Sequence, residues 1–242
     1  MARGVTAALG AGAAVFGFDP DSATPASRAL HVLTVRRRLP QDDLEARDRF
    51  ADAAVRAVED AGLDLGGRRG GRGAQRLHLV AVDDAPGRSR SVTVWYYATS
   101  PFAELPGPGQ WTAVGRNLRL DASDSGALRT ALERLRADTR QLAGAVSLLG
   151  DVFTGDDLLR LHNALHGGPE GSERTFRRRI QELRDAGVLR TLRDSEVAAL
   201  RLRVPRFRSP SGTGGRPPEL LRYSGTGGED EQLAALRARR AG

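Results

Sequence analysis

The hydrophobic pattern of the chain changes near residue 151, and this change limits the folds that the chain can adopt. Before residue 151, apolar segments of strand type alternate with a segment of helical period. After it, the pattern predicts two short helices, then a strand, a long loop and a second strand. With 242 residues, 40% of them hydrophobic, the chain can bury two small cores. We therefore expect an α/β (α+β) fold with two domains.

The first half is expected to alternate strands with at least one helix, which is an α/β pattern. Strands are predicted at 29–37, 75–84 and 91–100, and the small-residue run ending in "AAVFGF" is interpreted as a strand rather than a signal peptide. Residues 42–63 have helical period, and Gly62 stands where a helix C-terminus favours a left-handed residue. The buried face of that helix is expected to include Leu44, Phe50, Ala54, Val55 and Val58.

Two further segments each allow more than one role. The spacer "GGRRGGRGAQ" is expected to be a surface loop, with contact to an anion as the alternative. Residues 124–150 carry leucines at helical spacing and are predicted to form one long helix. Such a helix could close the first domain, link it to the second, or pack against its copy in a dimer. The predicted division is therefore 1–123, 124–150 and 151–242.

The second half begins with a helix that has a clear start signal. Thr154 and Asp157 form a capping-box signature, and leucines at helical spacing follow as far as Gly167. Further on, the strand-like segments "VLRTL" and "ELLRYS" are expected to pair across a long loop rich in arginine, proline and glycine. Two helices followed by strand, loop and strand make up a winged helix-turn-helix.

The second of these helices is predicted to bury one side and expose the other. Ser172 is expected to cap it and Gly187 to end it. Phe176, Ile180 and Leu183 lie at i, i+4 and i+7, which places them on one apolar stripe. The arginines of the segment fall mainly on the other side, as a recognition helix requires.

Arginines of this helix and of the loop after it are the candidate DNA contacts. Arg174 and Thr175 at the helix start are placed to approach base edges, whereas Arg178 and Arg179 can neutralise phosphate. The stretch from Val197 to Pro218 has no acidic residue and carries five arginines, so it is expected to contact the DNA backbone as a wing. The predicted DNA-binding residues are Arg174, Thr175, Arg177, Arg178, Arg179, Arg184 and Arg216.

The charge of the whole chain is consistent with an acidic partner. The formal net charge is +7, and every basic side chain apart from histidine is an arginine, which binds phosphate bidentately. Double-stranded DNA is the expected partner, with RNA or an acidic protein as alternatives. Because the arginine content of the bulk surface can reflect coding bias, only local clusters of arginine count as evidence.

Other function classes are limited by what the chain lacks. Without cysteine, disulfides, thiol catalysis and cysteine-based zinc sites are excluded, and nothing indicates an oxidising compartment. No stretch reaches the roughly 18 consecutive apolar residues of a membrane span, so we expect a cytoplasmic, nucleoid-associated protein without a membrane partner. His162 and His166 at i, i+4 could bind a metal, but the intervening glutamate of a zinc protease is missing. No cofactor is expected.

The chain resembles the Nudix-related transcriptional regulators, which join a Nudix-like domain to a C-terminal winged helix. The segments that carry the resemblance are "FTGDDLLRLHNALHG", "RTFRRRIQELRDAGVL" and "GRPPELLRY", preceded by "WTAVGRNLRLD", "ALRTALERLRADTR" and the early strand "LHVLTVRR". The resemblance implies a Nudix-like α/β/α sandwich with a mixed sheet over 1–123, a linker or dimer helix over 124–150, and a winged helix with a flexible C-terminal tail over 151–242.

The Nudix signature itself is degenerate in this chain. In the family it places carboxylates on one helix face to hold divalent cations against a pyrophosphate. Aligned on Gly62, the acidic pair is Glu59 and Asp60. The other signature positions hold Gln41, Arg47, Val55 and Arg56. Since carboxylates are replaced by cations, we predict no pyrophosphate hydrolysis, no catalytic residue and no metal site, with an active Nudix hydrolase as the alternative.

The resemblance also implies an effector and an oligomeric state. Family members that regulate NAD metabolism respond to ADP-ribose or related nucleotides, so a ligand of this kind is the expected effector. Arg37 and Arg38 follow the strand beside the expected cleft and are the candidate ligand contacts. Trp95, Tyr96 and Tyr97 are interpreted as core residues, with base stacking as the alternative. A homodimer would space two winged helices for half-sites about one helical turn apart.

Overall fold

The computed structural model describes residues 7–21, 23–65, 77–85, 90–115, 117–167, 173–203 and 219–224. The chain forms two compact units, which are described separately. The first unit comprises Met1–Asp19 and Leu30–Asp138, and the second comprises Pro20–Ala29 and Thr139–Gly242. The ten-residue segment Pro20–Ala29, which connects two strands of the first unit, thus belongs to the second unit.

The first unit is built on a six-stranded mixed sheet. Its strands are β1 (Ala7–Phe18), β2 (Leu30–Thr34), β3 (Gln41–Asp43), β4 (His78–Ala85), β5 (Arg90–Thr99) and β6 (Gln110–Ala113). Their order is β4-β5-β1-β2-β6, and β3 pairs with β1. The central strand β1 runs parallel to β5 and antiparallel to β2. This mixture of parallel and antiparallel pairs is the mixed sheet that the family resemblance implies.

Helices cover both faces of this sheet. They are α2 (Phe50–Asp60) and α3 (Ala122–Asp138). Neighbouring residues of β5 show the two faces, because side chains alternate along a strand. Tyr96 packs into the core that includes Val58 of α2, whereas the Tyr97 hydroxyl donates a hydrogen bond to Asp138 of α3. The unit is therefore an α/β/α sandwich.

One glycine position shows how closely the layers pack. Gly12 of β1 lies opposite Trp95 of β5. A Cβ atom at Gly12 would stand 2.8 Å from Cε3 of the indole and 2.9 Å from the Pro40 carbonyl oxygen. Only a residue without a side chain allows the fully buried indole to lie across β1.

The second unit combines helices with a small antiparallel sheet. Its helices are α1 (Ala26–Ala29), α4 (Leu142–Leu149), α5 (Gly155–His166), α6 (Glu173–Asp185) and α7 (Asp194–Arg203). Its strands are β7 (Phe153–Thr154), β8 (Leu189–Thr191) and β9 (Leu220–Tyr223), in the order β7-β9-β8. Helix α1 packs against α5, which ties the segment Pro20–Ala29 to this unit.

Several local predictions are confirmed. Thr154 accepts a hydrogen bond from the Asp157 backbone, and Asp157 accepts one from the Thr154 backbone, so the capping box is present. Gly62 and Gly167 have the expected positive φ angles of +94° and +77°. The predicted return strand pairs with β8, with Arg190 opposite Arg222. Ser172 and the predicted wing residues 204–218 lie outside the described residues.

Three boundaries differ from the predictions. The single helix expected over 124–150 is two helices, because α3 ends at Asp138 and α4 begins at Leu142. The helix expected over 42–63 begins only at Phe50, since Gln41–Asp43 pairs with β1 as β3. Part of the predicted loop between β8 and β9 is the helix α7. Among the described residues, no helix is long and apolar enough to cross a membrane.

Candidate nucleic-acid interface and ligand cleft

Helix α6 is amphipathic, and its apolar stripe packs against the rest of the second unit. Leu183 is buried, and Phe176 and Ile180 are partly buried. Gly187 has a φ of +77°, and the Val188 amide donates a hydrogen bond to the Leu183 carbonyl. These two features form a glycine C-cap that ends the helix. Burial of the stripe fixes which face of α6 remains open to solvent.

The open face of α6 carries arginines at its centre. At about 100° per residue, Arg174 and Arg178 lie opposite the apolar stripe, and both are exposed. Arg177 is also exposed, with 70% of its side chain accessible, against 76% for Arg178. Thr175 is exposed near the helix start. The structure thus brings four of the predicted DNA-binding residues to one accessible surface.

These arginines have weak partners on the same helix. Arg177 lies 2.6 Å from Glu173, whereas Arg178 and Arg179 approach the single carboxylate of Glu182 at 3.7 and 3.9 Å. Exposed pairs at this helical spacing contribute roughly 0.3–0.5 kcal/mol. A phosphate group can therefore replace Glu182 as the partner of these guanidinium groups at low cost.

Arg184 has a different environment from the other predicted contacts. Its two terminal nitrogens donate to both oxygens of Glu219, at 2.8 and 2.9 Å, and the Thr191 hydroxyl donates to the same carboxylate. Such a bidentate pair fixes geometry as well as charge. Arg184 thereby fastens the end of α6 to the sheet, and its predicted contact with DNA stays a prediction.

A second carboxylate, Glu196, joins three elements of the sheet region. Arg190 of β8 donates to both of its oxygens at 2.8 and 2.9 Å, Arg222 of β9 donates at 3.2 Å, and the Arg193 backbone donates at 3.0 Å. The hydrogen bonds from Arg190, followed by that from the Arg193 amide, lower the pKa of Glu196 to about 2. Sequence analysis missed this residue, because the partners lie up to 26 positions away.

Arg160 of α5 binds the segment that leaves β1. Its guanidinium donates to the carbonyl oxygens of Pro20 at 2.8 Å and Thr24 at 2.7 Å, and also to that of Asp21. Backbone carbonyls carry no sequence signal, so this contact could not be read from the pattern. Through it, α5 holds the connection between β1 and β2 within the second unit.

In the first unit, the predicted ligand residue Arg38 is engaged by acidic neighbours. Asp124 is fully buried and accepts hydrogen bonds from the Leu39 amide at 2.9 Å and from Arg38 at 3.4 Å. Asp121 lies 3.3 Å from the same guanidinium. The hydrogen bond to Asp124 raises the pKa of Arg38 despite partial burial. Arg37 is exposed at the turn before it, with a φ of +68°.

Arg38 borders a cleft of about 490 Å³ at one face of the sheet. The cleft is mostly polar, with Ser91 and Thr93 of β5 along one wall. Its charged and hydrogen-bonding side chains are Arg38, Gln41, Asp42, Asp43, Asp83 and Ser123. Three carboxylates face one guanidinium, so the cleft is electronegative. Arg37 does not line it, so this cleft contains one of the two predicted ligand residues.

One of the positions matched to the Nudix signature, Arg56, lies at the centre of an ion-pair network whose three carboxylates are not signature positions. Arg56 of α2 lies 2.5 Å from Asp42, 2.9 Å from Asp48 and 3.9 Å from Glu45. Hydrogen bonds from Arg56 lower the pKa of Asp48, and those to Asp42 and Asp48 raise the pKa of Arg56. The carboxylates of Asp42, Asp48 and Glu45 therefore already share one guanidinium as their counter-charge.

Among the described residues, no group of three or more histidines and acidic residues is placed to hold a metal ion. His162 and His166 lie side by side on α5 with ring centroids 4.8 Å apart, and His162 also contacts Phe176. In the first unit, Trp95 and Tyr97 are buried, as their interpretation as core residues requires.

An α/β/α sandwich joined to a helical unit with a three-stranded sheet is the class of structure that these observations define. NrtR of Shewanella oneidensis has a similar structure over most of both chains. Its complex with a 27mer DNA shows a TM-score of 0.61 at 18% identity, covering 93% of this chain and 95% of that chain. NrtR without DNA gives 0.59 at 19% identity, with 89% and 93% covered.

A further similar structure is a MutT/Nudix family protein from Enterococcus faecalis. It shows a TM-score of 0.61 at 12% identity, covering 92% of this chain and 88% of that chain. No protein-family model matches the sequence, and a search of curated proteins finds no match. The structural similarity, at identities below 20%, therefore establishes a fold shared with Nudix-related proteins.

Proposed function

We propose that the protein is a DNA-binding transcriptional regulator whose second unit is a winged helix-turn-helix. The observation that carries the proposal is the face of α6, where Arg174, Arg177 and Arg178 are exposed opposite a buried apolar stripe. Helix α5, helix α6 and the β7-β9-β8 sheet supply the other parts of such a domain. The similarity to NrtR, which has been crystallised with DNA, supports the same conclusion.

In the proposed complex, α6 enters the major groove by its N-terminal half. Arg174 and Thr175 then approach base edges, and arginine can pair with guanine through two parallel donors. Arg178 and Arg179 exchange Glu182 for backbone phosphates. Arg216 belongs to the proposed wing, which lies outside the described residues.

The first unit is proposed to act as a sensor and not as a hydrolase. Arg56 stands at a signature position where the family has a carboxylate, and its guanidinium is held by hydrogen bonds to Asp42 at 2.5 Å and Asp48 at 2.9 Å, so a cation bound beside it would be repelled. The proposed effector is a nucleotide-type ligand, ADP-ribose or a related compound, as expected for a regulator of NAD metabolism. Magnesium-dependent turnover of ADP-ribose by the purified protein would refute this part.

The proposed assembly is a homodimer in the cytoplasm, bound to the nucleoid. Two winged helices on two-fold-related half-sites about one helical turn apart match the symmetry of a palindromic operator. An effector that binds one arrangement of the dimer more tightly would shift the dimer toward that arrangement and so change its affinity for the operator. The size of the change is limited by the ratio of the effector's affinities for the two arrangements. Equal operator affinity with and without candidate nucleotides would contradict the sensor role while leaving DNA binding intact.

Gel shifts with genomic duplex fragments test the proposal directly. Replacing Arg178 or Arg216 by alanine should weaken binding and lower the salt slope by about one unit each. Arg193→Ala is the matched control, since it removes one exposed guanidinium from the second unit but lies off α6. The proposal is wrong if all three variants behave alike, or if single-stranded RNA of the same length binds more tightly than the duplex.

A further inference from the structure

A groove of about 450 Å³ lies beneath α6, between α4, α5 and α6 of the second unit. This volume falls within the range of about 300–1,000 Å³ that small-molecule sites occupy. The walls are mostly apolar, formed by Leu142, Ala145, Leu161, Leu165, Phe176 and Ile180. Ala145 and Leu161 are almost fully buried, so the groove reaches into the helical core.

The rim of the groove is positively charged. It carries the guanidinium groups of Arg140, Arg178 and Arg179, together with the single carboxylate of Glu182. Glu182 is shared between Arg178 and Arg179 at 3.7 and 3.9 Å, beyond the range of strong charge-assisted hydrogen bonds. The rim therefore has an excess of two positive charges above an apolar floor.

We propose that this groove binds a small amphipathic organic acid, with an acyl chain or aromatic group in the apolar floor and its carboxylate at the arginine rim. Apolar walls with a few convergent polar groups are the usual architecture of a small-molecule site. The charge at the rim selects a carboxylate over an alcohol or an amine of the same length. The site lies in the second unit and is separate from the nucleotide-sensing role proposed for the first.

Occupancy of the groove has a consequence for DNA binding, and this step depends on the proposed function. Arg178 and Arg179 are both rim residues of the groove and proposed phosphate contacts. A carboxylate bound between them neutralises the charge that DNA requires, so acid and DNA compete for the same two guanidinium groups. The ligand therefore acts as an inhibitor of DNA binding without any change in the first unit.

Calorimetric titration of the full-length protein with decanoate and with decanol tests the binding site in the absence of DNA. Decanoate should bind at least tenfold more tightly than decanol. Arg140→Ala should remove about tenfold of the decanoate affinity and leave decanol binding unchanged, whereas Arg193→Ala should change neither. Ala145→Phe fills the groove and should abolish binding of both, provided that its circular dichroism melt shows a folded protein. If Ala145→Phe does not fold, the decanoate affinities of Arg140→Ala and Arg193→Ala decide whether the acid binds at the rim of the groove.

Three results would overturn the proposal. Equal affinity for decanoate and decanol would remove the role of the rim, and equal loss in Arg140→Ala and Arg193→Ala would place the acid elsewhere. Failure of decanoate to bind, together with a shift from dimer to monomer in Ala145→Phe, would identify the groove as an interface between copies of this chain.

Gel shifts with and without decanoate then separate this inference from the proposed function. Decanoate should release wild-type protein from duplex DNA. Decanoate binding without any DNA binding would refute the proposed function and leave the ligand site standing. DNA binding that decanoate at saturating concentration leaves unchanged would refute the competition.

Discussion

The guanidinium of Arg160 donates a hydrogen bond of 2.7 Å to the backbone carbonyl of Thr24. The same side chain also donates to the carbonyls of Pro20 and Asp21, so one residue of α5 supplies the donors for three backbone acceptors in the segment between β1 and β2. Among the described residues of this segment, the only regular element is the short helix α1. Its position in the second unit therefore depends on Arg160 and on the packing of α1 against α5.

Removing the Arg160 side chain should destabilise the packing of the segment Pro20–Ala29 against α5. Hydrogen bonds from a charged donor contribute roughly 1.5–3 kcal/mol each before solvent exposure is considered. We expect Arg160→Ala to lower the free energy of unfolding by about 2 kcal/mol, because water can replace part of what is lost. Arg160→Lys should give an intermediate value, since an ammonium group cannot reach all three carbonyls. The measurement is urea unfolding, with amide hydrogen exchange over residues 23–29 as the local readout.

An unchanged exchange rate over residues 23–29 in Arg160→Ala would show that α1 packing alone holds the segment. Arg193→Ala serves as the control for loss of one positive charge in the same unit, and it should leave both measurements unchanged.

The close approach of Gly12 to Trp95 gives a prediction for the first unit. A methyl group at Gly12 would stand 2.8 Å from Cε3 of the indole and closer still to Cζ3, and the Pro40 carbonyl oxygen lies 2.9 Å from the same position. Overpacking of a buried site costs about 1–3 kcal/mol, so Gly12→Ala should destabilise the protein by that amount. Adding Trp95→Phe should recover part of the loss, because the smaller ring vacates the space. Thermal unfolding of the two single variants and the double variant measures the coupling.

Gly126→Ala is the matched control for Gly12→Ala. Gly126 lies within α3, and nothing stands within 4 Å of a Cβ built there. Alanine should therefore stabilise the helix by about 1 kcal/mol. Destabilisation by both alanine variants would mean that loss of glycine, and not the contact with Trp95, is responsible.

Local signals in the sequence were sufficient to predict much of the second unit. The capping box at Thr154, the apolar stripe of α6 and the pairing of β8 with β9 each depend on residues that are close in sequence or on a strong periodic pattern. The break between α3 and α4 had no such signal, because "RADTRQLAG" contains no proline and favours continuous helix. At the end of α3, the Asp138 carboxylate accepts a hydrogen bond from Tyr97 of β5, a contact 41 positions away that the local sequence does not indicate.

The contacts that define the candidate sites were mostly beyond prediction. Arg160 binds backbone carbonyls 136 to 140 positions away, and Asp124 binds the Leu39 amide 85 positions away. Neither has a characteristic spacing. The start of α2 was misplaced for a related reason, since "DDLEA" has helical propensity but Asp42 and Asp43 pair with β1 instead. The exposed arginines of α6 were found because exposure follows from the helical period.

The pKa of Glu196 gives a prediction for acid stability. Its folded-state pKa of about 2 lies below the value of roughly 4.3 expected in the unfolded chain. A lowered pKa contributes stability that is present above the unfolded value and is lost as the pH falls through the folded value. The wild-type protein should therefore lose stability between about pH 4 and pH 2 more steeply than Glu196→Gln. Thermal unfolding midpoints at several pH values measure the difference.

Asp194→Asn is the control, because it removes a carboxylate from the first turn of the same helix, α7. Its pH profile should run parallel to that of the wild type. A parallel profile for Glu196→Gln as well would show that the pairs with Arg190 and Arg222 do not persist in solution.

Arg37 and Arg38 are adjacent predicted ligand residues, and the structure separates their roles. Arg38→Ala leaves Asp124 fully buried with the Leu39 amide as its nearest donor, and breaking such a pair is costly. Because 46% of the Arg38 side chain is accessible and water screens the pair, we expect a loss of about 1–2 kcal/mol, below the range for fully buried pairs. Arg37→Ala should leave stability unchanged, since the side chain is exposed. Calorimetry with ADP-ribose then tests the binding role of each residue. Weaker ADP-ribose binding by Arg37→Ala at unchanged stability would support a ligand contact at Arg37. Wild-type affinity for ADP-ribose in both variants would assign Arg38 to folding and neither residue to the ligand.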